Sequence, residues 1–185
     1  MRRMTVFLHL FIAFVVAGLV HIGGLFALPR TTTDDVFSTL SRSVTGNGIM
    51  LIPEERVRQL RFVDPNVAIG VCRFDLAAGP FRVRTGLSET FLAVVFAREQ
   101  SGIITSVSDR AATGGALDVV LATAEQLRRI AELDESGEAI EEIRVPSPYR
   151  TGIAIIKVLV DRPSGRANAE NVLRAVQCGS EALPS

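Results

Sequence analysis

Beyond residue 30, the side chains able to bind or activate a ligand are mainly arginines and carboxylates. Arg82 and Arg84 stand two apart in the alternating run Phe81-Arg82-Val83-Arg84, which puts both on one face of a strand. Arg73 falls on the strand before it, so the three guanidinium forks could clamp a carboxylate or a phosphate from adjoining strands. Asp75, Asp109, Asp118 and Arg98 complete the set of groups available for such chemistry. The competing arrangement is a solvated face on which these arginines pair with acids across the strands, and it is the favoured one. Both histidines, His9 and His21, precede residue 30, so the rest of the chain has no imidazole for Ser-His-Asp or Cys-His catalysis. It also lacks a zinc-ligand spacing and a Gly-rich nucleotide loop. No metal, no cofactor and no catalytic residue is therefore expected, and enzymatic activity is disfavoured without being excluded.

The two cysteines, Cys72 and Cys178, have a second kind of chemistry open to them. In an oxidising compartment a lone pair is expected to be bridged, and the bridge would close a loop of more than 100 residues. Chain entropy credits such a closure with at most about 4.7 kcal/mol.

The compartment follows from the start of the chain. Thr5 to Leu28 is 24 residues without a charge, about 36 Å as a helix at ~1.5 Å per residue, enough to cross a bilayer. A cleaved signal peptide has a shorter apolar region and a small-x-small cleavage site, and Leu25-Phe26-Ala27 offers a leucine where a small residue belongs. An uncleaved signal anchor is the favoured reading. Arg2 and Arg3 precede the span, whereas Arg30 after it is diluted by Asp34 and Asp35, so the amino terminus is expected in the cytoplasm and the remainder in the periplasm. His9, Ala13, Ala17 and His21 follow one i+4 ridge of this helix, with small residues between the polar ones, a surface suited to another helix. The exported part carries 17 basic against 20 acidic residues, a net −3 with the arginines dispersed among acids, which excludes a nucleic-acid-binding surface.

The elements that must position these groups divide the chain into residues 1–30 (amino terminus and anchor), 31–66 (a juxtamembrane helical connector) and 67–185 (a β-rich domain). Val36, Phe37 and Leu40 follow Thr31 to Asp35 at helical spacing, predicting a short helix over 34–43. Thr45-Gly46-Asn47-Gly48 is turn chemistry, and Pro53-Glu54-Glu55 opens another short helix through Leu60. From Val67 the texture is that of strands: 67–75, 81–85, 90–98, 103–108, 116–121, 140–145 and 152–160. FLAVVFA (91–97) and IAIIKVLV (153–160) are apolar on both parities and should be central, with a hairpin between 98 and 103. Thr123 and Gln126 form a capping box at the start of a helix. Ala169, Val172, Leu173 and Val176 make a helical stripe ending at Gly179, which would put Cys178 at the end of the last helix, pinned by its bridge to the strand of Cys72. Strands in runs, with helices few and late, predict a mainly β fold, an antiparallel sandwich or jelly-roll-like domain with two or more short helices, preceded by one transmembrane helix.

Asp64-Pro65, Val71-Cys72-Arg73-Phe74-Asp75-Leu76, Gly79-Pro80, Arg82-Val83 and Ser108-Asp109-Arg110, with the single span and overall length, resemble bacterial single-span membrane proteins carrying domain of unknown function 1254. The resemblance is sharpest over residues 64–110. It implies a jelly-roll-like β domain and carries no activity or catalytic residue. The function expected is that of a non-enzymatic accessory or scaffold subunit binding other envelope proteins through the helix and the β domain. The alternative is a tethered binder of small anions, or a histidine-free enzyme, with its site at Arg73, Arg82 and Arg84.

Overall fold

The structure, a computed structural model, describes residues 2–31, 36–44, 48–60, 63–98, 102–134 and 142–182. It divides into two compact units, Met1–Asp35 and Val36–Ser185. The first holds helix α1 (Arg2–Thr31), whose stretch Arg2–Ala27 is long and apolar enough to cross a membrane.

Among the described residues, the second unit is a sandwich of nine strands. Sheet A runs in the order β1 (Met50–Ile52), β2 (Val67–Asp75), β8 (Thr151–Leu159), β4 (Leu92–Arg98) and β5 (Gly102–Ser108). Sheet B runs β7 (Ile143–Pro146), β6 (Ala116–Ala122), β3 (Phe81–Gly86) and β9 (Gln177–Ser180). Neighbours are antiparallel except β6 and β7, which are parallel because α4 (Ala124–Asp134) carries the chain back between them. Cys72, Phe74, Val94, Phe96, Ala154 and Ile156 from sheet A meet Phe81, Val83, Leu117, Val119 and Leu121 from sheet B in one core. The Phe74 ring lies 5.8 Å from that of Phe81 across the sheets and 6.3 Å from that of Phe96 within its own.

A second apolar layer lies on the outer face of sheet A. Ile69, Val71, Val95, Ile153 and Ile155 are covered by Leu40 of α2 (Val36–Ser43), by Val44 just beyond it, and by Val57 of α3 (Glu54–Gln59). This explains why β2, β4 and β8 are apolar on both parities: one parity faces sheet B and the other faces these helices. Residues 36–44 and 48–60, within the 31–66 segment expected as a connector, thus pack on sheet A, with β1 paired to β2 through Met50↔Val71 and Ile52↔Ile69. The last helix, α5 (Arg166–Ala175), sends Ala169 and Leu173 into the inter-sheet core beside β2. Gly70 makes room for it, since a side chain there would meet Leu173 and Ile49.

The mainly β reading and most strand positions hold. The capping box is present: Thr123 N–H donates to Gln126 Oε1 at 2.9 Å, and Gln126 N–H to Thr123 Oγ1 at 3.2 Å. One expectation is corrected. Helix α5 stops at Ala175, Val176 turns to extended backbone, and Cys178 lies in β9, paired with Val83 of β3. The stripe through Val176 does mark buried residues, but an open edge of β3 takes up the backbone of 177–180 as a strand instead of a fourth helical turn. The Cys72–Cys178 disulfide, with Cα atoms 6.5 Å apart, therefore ties sheet A to sheet B rather than a helix to a sheet. Expected turn residues 45–47 and 99–101, the helix start at 34–35 and the strand start at 140–141 lie outside the described residues.

Candidate functional site

Alternation in β3 sends Phe81, Val83 and Thr85 inward and leaves Arg82 and Arg84 on the outer face of sheet B. There Asp118 of β6, directly opposite Arg84, lies 3.4 Å from Arg82 Nε and 3.5 Å from Arg84 Nε. Arg82 also donates to Glu142 and reaches Glu181 at 3.5 Å. Arg144 of β7 continues the cluster, bonded to Glu142 at 2.8 Å and to Asp134 at the end of α4. Burial works against the charge on Arg144, but hydrogen bonds to Glu142 and Asp134 and the attraction of both carboxylates outweigh it, and its pKa is raised. Glu142 is 2 % exposed and is enclosed by the two arginines it serves. Three guanidinium groups and four carboxylates are thus paired by charge on this face, although the buried Arg82 Nε and Asp118 Oδ1 make no hydrogen bond.

Arg73 is elsewhere. The expectation that it sits on a strand neighbouring Arg82 and Arg84 is corrected: β2 belongs to sheet A and β3 to sheet B, so the three arginines do not converge. The reason is the connection Leu76 to Pro80, which crosses from one sheet to the other instead of forming a hairpin. Asp75 Oδ1 accepts the Ala77 N–H at 2.9 Å at the start of this connection, and Gly79, at φ 131°, lies where a Cβ would strike the Glu181 carbonyl.

Arg73 and Asp75 instead line an open cleft of about 510 Å³ at one end of sheet A. Three strand ends meet there, the last residues of β2 and β4 and the first of β8, with Phe37 and Ser41 of α2 as a further wall. Arg73 Nη2 donates to the Ser41 carbonyl at 3.1 Å. Arg98 also lines the cleft, its guanidinium carbon 4.7 Å from the centre of the Tyr149 ring. Asp109 opens a 3-10 turn just after Ser108, which pairs with Ala93 at the start of β4, so at least about 17 Å of strand at ~3.3 Å per residue separates it from the Arg98 end.

On α1, His9, Ala13, Ala17 and His21 are exposed along the ridge, and His9 Nδ1 lies 2.7 Å from the Thr5 carbonyl one turn back, the geometry of a ring N–H donating to it. No group of three or more metal-ligating side chains occurs among the described residues. Sequence reasoning did not single out Arg144, Glu142 or Tyr149. The alternation Ile143-Arg144-Val145 opposite β6 held the signal for the first.

The fold and its surfaces define a β-sandwich protein with an apolar amino-terminal helix. No family model matches the chain, and no curated protein matches it either. Among solved structures, the crystal structure of the VPA0106 protein from Vibrio parahaemolyticus is similar, with a TM-score of 0.52 and 12% identity over 78% of this chain and 34% of that one. An uncharacterized protein from Burkholderia cenocepacia gives a TM-score of 0.47 and 14% identity over 72% of this chain and 34% of that one. The chain therefore spans about a third of the length of either. At 12% identity the Vibrio structure bears on the fold alone.

Proposed function

We propose that this is a single-pass protein of the bacterial inner membrane, its amino terminus cytoplasmic and its sandwich periplasmic, acting as a non-enzymatic accessory or scaffold subunit. The partner is another envelope protein that supplies an extended, uncharged segment to the edge at β5, which has no second strand neighbour among the described residues. A place among the membrane proteins carrying domain of unknown function 1254 is part of the same proposal. Arg2 and Arg3 ahead of an uncharged helix support the orientation, and the cross-sheet disulfide supports an oxidising compartment.

The observation that carries the docking role is β5 itself. Sheet edges are hazards that proteins blunt with short strands, charges or proline. The edges at β1, β7 and β9 are three, four and four residues long. By contrast β5, Gly102-Ile103-Ile104-Thr105-Ser106-Val107-Ser108, is seven residues long without a charge or a proline, has β4 as its strand neighbour among the described residues, and leaves Ile103 69% exposed. Despite the register shift at Phe96/Ala97 in its pairing with β4, an edge without charge or proline offers backbone hydrogen bonds to an added strand, and its lack of charge favours a neutral segment over an acidic or basic one.

Ile103 and Ser106 point to solvent, so Ile103→Lys with Ser106→Lys should charge the edge without disturbing the core. Extracted in mild detergent without reductant, the native chain should carry a stoichiometric protein partner that the doubly charged variant loses while melting at the same temperature. Retention of that partner by the variant would overturn the β5 assignment.

A further inference from the structure

We infer that the cleft between α2 and the end of sheet A is a binding site for an organic monocarboxylate, held by Arg73 and Arg98. The two arginine groups of this domain differ in how their charge is met. On sheet B, Arg82, Arg84 and Arg144 each have a carboxylate within ion-pair distance. In the cleft, neither Arg73 nor Arg98 makes an ion pair among the described residues, yet both are held: Arg73 by the Ser41 carbonyl, Arg98 against the ring of Tyr149. A cation–π contact occupies none of the guanidinium N–H donors with a conventional acceptor, and one backbone acceptor occupies only one of five such donors. Positioned forks that make no ion pair among the described residues are pre-organised for a planar oxyanion.

The remaining walls narrow the ligand class. Asp75 lines the same cleft and, with the two arginines, leaves a net of one positive charge, which suits a monoanion better than a phosphate dianion. Phe37 contributes an apolar surface. A volume near 510 Å³ admits a carboxylate on a single ring or a short alkyl chain. Such a carboxylate can come from a soluble aryl or alkyl acid, or from a fatty acid of the membrane in which the chain is anchored.

The test uses the full-length protein in neutral detergent, titrated with phenylacetate, octanoate, phenylacetamide and inorganic phosphate and followed by ligand-observed NMR. Both carboxylates should bind saturably and phenylacetamide should not. Arg73→Gln and Arg98→Gln should each weaken binding about tenfold, the loss of one charge-assisted contact, while Arg84→Gln leaves it unchanged. Tighter octanoate points to a membrane-derived acid and tighter phenylacetate to a soluble one; either supports the site. If a variant fails to fold, the unaltered protein still decides, because bound carboxylate should slow modification of Arg73 and Arg98 by phenylglyoxal. No saturable binding at millimolar concentration, phosphate binding as tight as either carboxylate, or binding indifferent to both arginines and without protection would overturn the inference.

Discussion

Replacing both Cys72 and Cys178 with alanine should separate the contribution of the cross-sheet bridge from that of the core around it. The cysteines are 106 residues apart in sequence, so the bridge removes from the unfolded chain one of the largest loops this domain could close. For a loop of that order the chain-entropy relation gives about 4.7 kcal/mol as an upper figure, and removal of native bridges typically costs about 2–5 kcal/mol. Cys72 is 1% exposed within the core, so the shortened side chain adds a small cavity penalty in the same direction. For a domain of this size, each kcal/mol shifts the melting temperature by roughly 2–4 °C, and a loss of about 3–4 kcal/mol therefore predicts a fall of roughly 6–16 °C. With no tryptophan and one tyrosine, the chain is best followed by far-ultraviolet circular dichroism, on the full-length protein in detergent. Amide exchange adds the location: β9 is a four-residue strand paired with β3, so its protection should collapse before that of β4 and β8. Reduction of the native protein should reproduce both effects. A fall of less than about 2 °C with β9 still protected would refute the reasoning and show that packing alone holds the two sheets together.

Two other variants probe the fold and helix α1. Gly152→Ala would place a Cβ 2.5 Å from Phe74 Cζ and 2.6 Å from the Ala97 carbonyl oxygen, and because the latter is strand backbone the cost should be about 1–3 kcal/mol, measured by thermal melting. Ala13→Leu with Ala17→Leu fills the small-residue positions of the α1 ridge and should abolish cross-linking to a neighbouring helix in membranes; unchanged cross-linking would dismiss the ridge as a contact surface.

Much of the architecture was legible because burial imposes period. Phe81-Arg82-Val83-Arg84 alternates since one face of β3 meets sheet A and the other meets water and acids. FLAVVFA and IAIIKVLV lack alternation because β4 and β8 are covered on both faces. What stayed hidden is non-local. Nothing within Leu76 to Pro80 distinguishes a hairpin from a crossing between sheets, and that difference alone moves Arg73 away from Arg82 and Arg84. Residues 177–180 continue a helical apolar stripe and become a strand because β3, almost a hundred residues earlier, has an edge to fill. The cleft depends on Arg98 and Tyr149 meeting at the end of sheet A, a distant pairing that no spacing records. By contrast the cysteine pairing was readable from count and compartment, since two cysteines allow one bridge.

The docking role of β5 is tested most directly by placing a photo-reactive side chain at Ile103 or Ser106 of the full-length protein in its native membrane, with Arg84 on the ion-paired face of sheet B as the control position. The account predicts one discrete protein adduct from the β5 positions, formed at a yield that the control does not approach and lost when the neighbouring edge position is changed to lysine. Equal labelling from both faces, or no adduct from β5, would contradict it.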